Sequence, residues 1–258
     1  MSSSSDSEGK IFASLCFGVV LGIGGFWGGF QLRKKKKLIE DIPTSTVRGM
    51  AMGLVEVKGK AQSFKGTVKS PFAQVDSVFF HYKIEEYRSS GRSGSWVTIK
   101  EFATPDWFFL EDDTGRVLVN PVGAELFLNV DRQYQLNSFG GKDKQAFEEG
   151  LIALGVQPHG FMGFDKQLRC AEQYVCPGDP LYVMGAAAKN PLMELSDKGN
   201  DNACIQKEGA PFFCLSDKSE KDLLSSLGGQ MYLFLYGGPV LTVACLFFLI
   251  AHYFKSMF

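Results

Sequence analysis

The sequence predicts a membrane-anchored, mainly β (α+β) protein, in which a compact barrel-like or sandwich-like soluble domain lies between two transmembrane helices. Three observations favour this class. Two apolar runs, residues 11–30 and 231–254, are each long enough to cross the hydrocarbon core of a bilayer. Five consecutive basic residues follow closely after the first run. Much of the chain between the runs alternates apolar and polar residues, as half-buried strands do.

These patterns divide the chain into six segments. Residues 1–10 are a disordered tail, 11–32 the first transmembrane helix, 33–37 a basic collar, 38–227 the soluble β-rich domain, 231–254 the second transmembrane helix, and 255–258 a short stub. The tail lacks the basic start of a secretory signal peptide, and no small-residue cleavage site precedes the collar. We therefore expect the first span to be retained.

The basic collar consists of Arg33, Lys34, Lys35, Lys36 and Lys37. Basic residues beside a span tend to stay in the cytoplasm, so the soluble domain is predicted to be cytoplasmic. The same cations can contact anionic lipid headgroups, which makes membrane lipid one expected partner. The two-pass protein would lie in the cell inner membrane of a prokaryote or in an organelle outer membrane of a eukaryote.

Small residues recur along the first span in two G-x-x-x-G repeats: Gly18, Gly22, Gly25 and Gly29. Such repeats let a second helix approach closely. Two partners remain open for this helix-packing stripe. One is the second span of the same chain, at Gly237 and Gly238, and the other is a second copy in a homo-oligomer.

Strand patterns begin at Gly53. In residues 77–86 the side chains of Val78, Phe80, Tyr82 and Ile84 share one face, while Phe79 and His81 fall on the other, polar face. Residues 107–110 and 116–119 flank an acidic turn containing a glycine, which predicts a hairpin. Further strands are predicted at residues 54–58, 96–99, 168–175, 180–187 and 211–215, with a tight turn at 177–179.

Two short helices interrupt the strands. In residues 142–154, Phe147, Leu151 and Leu154 recur at helical spacing, and Gly155 suits the C-terminal cap. Residues 216–227 read as a second helix, hinged onto the second span by two glycines. The sequence leaves open whether the strands on either side of residues 142–154 form one core or two.

Composition argues against several kinds of partner. The formal net charge of -1 and the pI near 6.3 provide no basic footprint for nucleic acid. Four cysteines fall in the predicted soluble domain: Cys170, Cys176, Cys204 and Cys214. They have no C-x-x-C spacing, and we expect them to be free thiols in a reducing cytoplasm. We therefore predict no nucleic-acid partner, no metal and no cofactor.

No catalytic set is apparent in the sequence. No G-x-S-x-G string occurs, and Cys170 with His159 would make a thiol–imidazole pair only if the fold brought them together. Asp112 and Asp113 invite an acid–base or calcium interpretation, but a turn is favoured because Asp and Thr before Gly bond their own backbone. We predict no catalytic residue, and the chain is interpreted as non-enzymatic.

Six strings follow one another in order: DIPTS at 41–45, GLVEVKG at 53–59, SP at 70–71, DDTGRV at 112–117, PGDPLYVMG at 177–185 and SDKSE at 216–220. Together they resemble the GIDE, or "beside a membrane", domain of the MULAN/GIDE membrane-bound E3 ubiquitin ligases. Those ligases carry a RING after the second span, and a RING needs eight Cys or His ligands. Residues 255–258 leave no room for one, so the chain is interpreted as a prokaryotic-type member that lacks the C-terminal RING.

The leading functional hypothesis is a module that recruits proteins or organises the membrane, with membrane or cytoplasmic proteins as partners. An exposed aromatic face or sheet edge would provide the contact. The resemblance implies an alternative, the membrane platform of an E3 ubiquitin ligase-like system whose catalytic module is on another chain. A further alternative is a lipid-binding module.

Overall fold

The computed structural model describes residues 2–91, 93–136, 142–160, 165–192 and 202–257. The chain forms two compact units: Met1–Ile42 with Glu220–Phe258, the helical unit, and Pro43–Ser219, the strand-rich unit. The helical unit contains α1 (Ser2–Asp41) and α3 (Glu220–Met257). Both helices are long and apolar enough to cross a membrane.

Both long helices extend beyond the predicted spans. α1 begins at Ser2, within the segment predicted to be disordered, because extending an existing helix costs far less than nucleating one. α3 runs without a break through Gly228 and Gly229, so the predicted hinge is wrong, and so is a separate helix at residues 216–227. Each helical glycine costs about 1 kcal/mol, which the long apolar helix beyond them outweighs.

Five strands close into a barrel: β2 (Gly53–Ser63), β7 (Phe108–Asp112), β8 (Gly115–Val119), β13 (Ala203–Gln206) and β12 (Pro180–Lys189). Each pairs with the next, and β12 pairs back onto β2 to close the ring. Three short strands extend the sheet. β1 (Thr44–Ser45) pairs parallel with β2, β14 (Cys214–Ser216) pairs antiparallel with β12, and β9 (Glu125–Phe127) pairs parallel with β14. The predicted barrel-like architecture is confirmed.

Alternate residues of the barrel strands fill its interior. Val55 and Val57 of β2 face inward together with Val183 of β12, and all three are buried. The intervening Glu56 therefore lies on the outer face of the barrel. The predicted hairpin is confirmed, because β7 and β8 pair antiparallel from Asp112 opposite Gly115.

A four-stranded antiparallel sheet makes up the rest of the strand-rich unit. Its order is β10 (Arg132–Leu136), β11 (Leu168–Val175), β5 (Phe79–Ser90) and β6 (Ser93–Ala103). The short β3 (Val68–Lys69) and β4 (Asp76–Ser77) pair separately. Phe147 and Leu151 of α2 (Lys142–Ala153) are buried against this sheet with Tyr82 and Ile84, as the sequence predicts.

The strands on either side of α2 contribute to two cores. Tyr82, Ile84 and Cys170 lie in the core under α2, whereas Val175 and Phe79 lie in the barrel core. Phe79 is only 1% exposed, so its predicted place on a polar face is wrong. The reason is tertiary: the first residue of β5 still packs into the barrel, which the alternation along one strand does not reveal.

The predicted turn at residues 177–179 carries the chain from one sheet to the other. Its glycine, Gly178, has a φ of 92°, and Asp179 N–H donates to the Cys176 carbonyl at 3.1 Å. β11 on one side pairs with β10 and β5, while β12 on the other pairs with barrel strands. The predicted strands at 168–175 and 180–187 are β11 and most of β12, but β14 takes only the last two residues of 211–215.

Candidate functional site

The two connections from the strand-rich unit to the long helices leave the barrel from neighbouring strands. β1 begins three residues after α1 ends, and β14 ends four residues before α3 begins. The strands lie side by side in the order β1, β2, β12, β14, with Thr44 opposite Glu56 and Ser216 opposite Tyr182. Because neighbouring strands are about 4.8 Å apart, the two connections lie roughly 14 Å apart across the sheet.

A polar group, which we call the seam cluster, occupies this place: Thr44, Glu56, Lys58 and Tyr182. Glu56 is fully buried. Its carboxylate accepts hydrogen bonds from the hydroxyls of Thr44 at 2.5 Å and Tyr182 at 3.0 Å. Lys58 Nζ lies 3.5 Å from Glu56 Oε1 and donates to Thr44 Oγ1 at 3.2 Å. The buried charge is therefore compensated by one cation and two hydroxyl donors.

The seam cluster holds the lead-in segment, residues 43–52, against the barrel. Further along this segment, Asp112 Oδ2 accepts the Val47 N–H at 2.8 Å, and Thr114 Oγ1 accepts the Arg48 N–H at 3.1 Å. Side chains from β2, β12 and the β7–β8 turn thus fasten the residues that follow α1. Sequence reasoning missed Glu56, because a Glu between two valines has the pattern of an ordinary solvent-facing strand residue.

Asp112 acts as a turn residue. Its Oδ1 accepts the Thr114 N–H at 2.7 Å, the Thr114 hydroxyl at 2.6 Å and the Gly115 N–H at 3.0 Å. Burial alone would raise the pKa of Asp112, but these hydrogen bonds and that from Val47 outweigh it and lower the pKa. Since both oxygens already accept protein donors, the turn role is favoured over calcium binding.

The glycines predicted to pack helices lie on the face of α1 that contacts α3. A methyl group built on Gly22 would lie 2.7 Å from the carbonyl oxygen of Gly238, and one on Gly29 would lie 2.6 Å from the backbone nitrogen of Leu235. Both α1 positions are buried. These distances are too short for a real side chain, so glycine is required for the backbones to approach this closely.

The other two predicted glycines face α3 less tightly. A methyl group on Gly25 would lie 3.6 Å from the Phe234 ring, and Gly18 faces Cys245. By contrast, no atom of the residues that the structure describes would lie within 4 Å of a methyl group on Gly24 or Gly28. Of the two α3 glycines in the sequence interpretation, Gly238 makes this contact. Within the described part of the chain, a methyl group on Gly237 would meet only Leu233 of its own helix.

The collar cations differ in their surroundings. Lys36 Nζ lies 3.4 Å from Glu40 Oε1 and sits beside Gly228 of α3. The Lys34 ammonium lies 5.0 Å from the centre of the Phe30 ring. Arg33, Lys34 and Lys37 are exposed. The block that looks uniform in sequence is therefore divided between two faces of α1.

Sequence reasoning also missed Glu172, a second fully buried carboxylate. It accepts the N–H groups of Phe72 at 3.0 Å and Ala73 at 2.9 Å, which fixes the loop after β3 over the sheet core. Burial, reinforced by the charge of Glu172, raises the pKa of Cys170 and of Tyr134 to about 12. A thiol with such a pKa stays protonated and is a poor nucleophile.

Among the described residues, the His159 ring makes its side-chain contact with Asp165 and not with a thiol. The His159 ring nitrogen Nδ1 lies 2.9 Å from Asp165 Oδ1, and Glu148 places an oxygen near both, in a group of three potential metal ligands within 4.8 Å of one another. Lys144 Nζ already lies 2.7 Å from Asp165 and 3.6 Å from Glu148. A lysine ammonium thus compensates these carboxylates, and the group resembles a surface ion-pair network more than a metal site.

β6 forms one edge of the four-stranded sheet and is 11 residues long. Near the start of β6, the Arg169 guanidinium lies 4.3 Å from the centre of the Trp96 ring. The centres of the Tyr87 and Trp96 rings are 5.4 Å apart. Arg169 also donates to Glu85 at 2.5 Å. Edge strands present outward N–H and C=O groups that can pair with another chain, and Trp, Tyr and Arg dominate protein interfaces.

The family model GIDE, described as E3 Ubiquitin ligase, matches residues 80–249. The matched region begins in β5 and ends in α3, so it includes Tyr182 of the seam cluster and the whole of β6. No curated protein and no solved structure matches the chain.

Proposed function

Because the chain belongs to the GIDE family, we propose that it is a two-span membrane protein whose strand-rich unit lies in the cytoplasm and recruits partner proteins to the membrane surface. The two candidate membrane helices support the anchoring, and the basic collar supports the orientation. The observation that carries the recruitment role is the long β6 edge beside the Trp96–Arg169 pair.

An extended segment of a partner would add to the sheet next to β6. Backbone hydrogen bonds along an edge strand provide affinity, and neighbouring side chains provide selectivity. Thr98 is exposed near the middle of β6, and Trp96 lies two residues nearer the start of the strand. The guanidinium of Arg169, which belongs to β11, lies 4.3 Å from the centre of the Trp96 ring. The partner therefore gains both backbone pairing and a contact with an aromatic–cation pair.

The test removes outward hydrogen-bonding groups while leaving the aromatic–cation pair in place. Successive N–H groups of an edge strand alternate, one toward the neighbouring strand and the next outward. Of Val97→Pro and Thr98→Pro, one therefore breaks the β5–β6 ladder, and the other removes only an outward N–H. We expect the variant that keeps the wild-type unfolding temperature to lose the proteins that co-purify with the full-length chain from membranes.

Asp113→Ala, at the exposed β7–β8 turn, provides the control for this experiment. It should keep the wild-type set of co-purifying proteins, because the turn lies in the barrel hairpin and not in the β6 sheet. Retention of the full set by the folded proline variant would show that β6 does not recruit them.

The family description favours a second candidate, a membrane platform for a ubiquitin ligase-like system whose catalytic module is another protein. The same co-purification separates the two proposals through the identity of the bound proteins. A RING protein or a ubiquitin-conjugating enzyme would favour the platform. Structural membrane proteins, or further copies of this chain, would favour general recruitment.

A further inference from the structure

Four residues of α1 form one stripe that begins at the last residue of the apolar run and continues into the basic collar: Phe30, Arg33, Lys34 and Lys37. They follow the spacing i, i+3, i+4, i+7, so they share one face of a helix with 3.6 residues per turn. All four are exposed, and Lys34 Nζ lies 5.0 Å from the centre of the Phe30 ring. The stripe therefore combines one aromatic ring with three cations.

Lys36 lies on a different face of α1. It follows Gly22 and Gly29 at intervals of seven residues, and a methyl group on Gly29 would lie 2.6 Å from the Leu235 nitrogen of α3. At the level of Lys36, a methyl group on Gly228 would lie 3.8 Å from its Nζ, and Lys36 also pairs with Glu40 at 3.4 Å. Lys36 is thus engaged with α3 and with its own helix, while the stripe faces away from that contact.

The height of the stripe suits lipid headgroups. Aromatic residues favour the boundary between hydrocarbon and water, and Trp27 and Phe30 are exposed on α1 there, with Tyr232 and Tyr236 exposed on α3. At 1.5 Å per residue, the three cations rise about 4 to 11 Å beyond Phe30. The headgroup layer of a bilayer extends roughly 5 to 8 Å past its hydrocarbon core, so the cations reach the lipid phosphates.

We propose that Phe30, Arg33, Lys34 and Lys37 form a binding site for the headgroup of an anionic phospholipid. The guanidinium of Arg33 and the ammonium groups of Lys34 and Lys37 contact the phosphate and the acidic headgroup, and the Phe30 ring contacts the glycerol and upper acyl region. This site is independent of the recruitment proposed for β6, because it lies wholly in the helical unit.

The decisive comparison is between Lys34→Gln and Lys36→Gln. Both variants lose one positive charge from the same block, and glutamine keeps the helix propensity of lysine. The full-length protein is purified in a neutral detergent and titrated with phosphatidylserine, and bound lipids are counted by native mass spectrometry. We expect Lys34→Gln to weaken phosphatidylserine binding about fivefold, because one cation near the headgroups contributes about 1 kcal/mol. Lys36→Gln should leave the affinity near that of the wild type.

Two further arms complete the test. Phosphatidylcholine should bind much more weakly to the wild type than phosphatidylserine, and soluble phosphoserine should not displace the bound lipid, because it has no acyl region to contact Phe30. Equal weakening by Lys34→Gln and Lys36→Gln would show that only the total charge of the collar matters, and would overturn the site. Displacement by phosphoserine at concentrations comparable to the lipid would overturn the assignment to lipid.

Discussion

Glu56 and Glu172 show how single residues organise the strand-rich unit. Both carboxylates are fully buried, yet their compensation differs. Glu56 receives two hydroxyl hydrogen bonds and the nearby Lys58, whereas Glu172 receives two backbone N–H groups. A buried charge that loses its partners costs several kcal/mol, so each glutamate requires the segment that it holds to stay in place.

Tyr182→Phe is expected to lower the free energy of unfolding of the strand-rich unit by about 1.5–3 kcal/mol, the range for a hydrogen bond to a charged group. The substitution removes the hydroxyl that donates to Glu56 and keeps the ring. Urea unfolding of the full-length protein in detergent, followed by tryptophan fluorescence, measures the change. Tyr87→Phe is the control, because Tyr87 is 37% exposed. This substitution should change the free energy of unfolding by no more than about 0.5 kcal/mol. Equal losses would contradict the role of the seam cluster.

Asp112 makes a pH-dependent contribution with a defined sign. Its folded-state pKa is lowered, so its stabilisation is present above the unfolded pKa of about 3.9 and is lost as pH falls through the lower folded value. Asp112→Asn should therefore destabilise the protein at about pH 7, and the difference from wild type should shrink below about pH 4. Urea unfolding at both pH values measures this. Asp113→Asn, at the exposed neighbouring position, should show no such convergence.

At the scale of elements, β2 and the α1–α3 pair organise the two units. β2 pairs with β12 over residues 53–60 and also with β1 and β7, so it joins the lead-in segment to the closed barrel. In the helical unit, the contact depends on positions where a side chain would have no room, chiefly Gly22 and Gly29. Both elements are therefore sensitive to changes that alter how closely backbones approach.

Gly22→Leu should disrupt the α1–α3 contact, because a side chain there meets the backbone of Gly238. Gly24→Leu is the matched control, since the space at that position is open. We expect only Gly22→Leu to lower the temperature at which half of the full-length protein remains monodisperse in detergent, as measured by size-exclusion chromatography after heating. A change in oligomeric state without loss of thermal stability would instead favour the homo-oligomer interpretation of the glycine stripe.

At the scale of the whole molecule, both ends of the strand-rich unit continue into candidate membrane helices. A single exposed label therefore reports the side on which the unit lies. We expect Thr98→Cys, on exposed β6, to react with a membrane-impermeant maleimide only after the membrane is permeabilised. The wild-type protein, with its six native cysteines, gives the background. Labelling of Thr98→Cys in intact cells or spheroplasts would reverse the proposed orientation.

Features that depend on local pattern could be predicted from the order of residues along the chain. The apolar length of the two spans, the basic collar, the β7–β8 hairpin and α2 all follow from composition or periodicity within about 20 residues, and such signals act through neighbours along the chain. The glycine stripe was also visible as a packing surface, although the sequence left its partner open.

The way in which these elements combine depends on long-range contacts and became visible in the folded protein. The β2–β12 pairing that closes the barrel joins residues more than one hundred positions apart, and no local pattern encodes such a pairing. For the same reason the burial of Phe79 and Glu56 and the assembly of the seam cluster could not be read from the sequence. A strand residue looks solvent-facing by alternation until another part of the chain covers it.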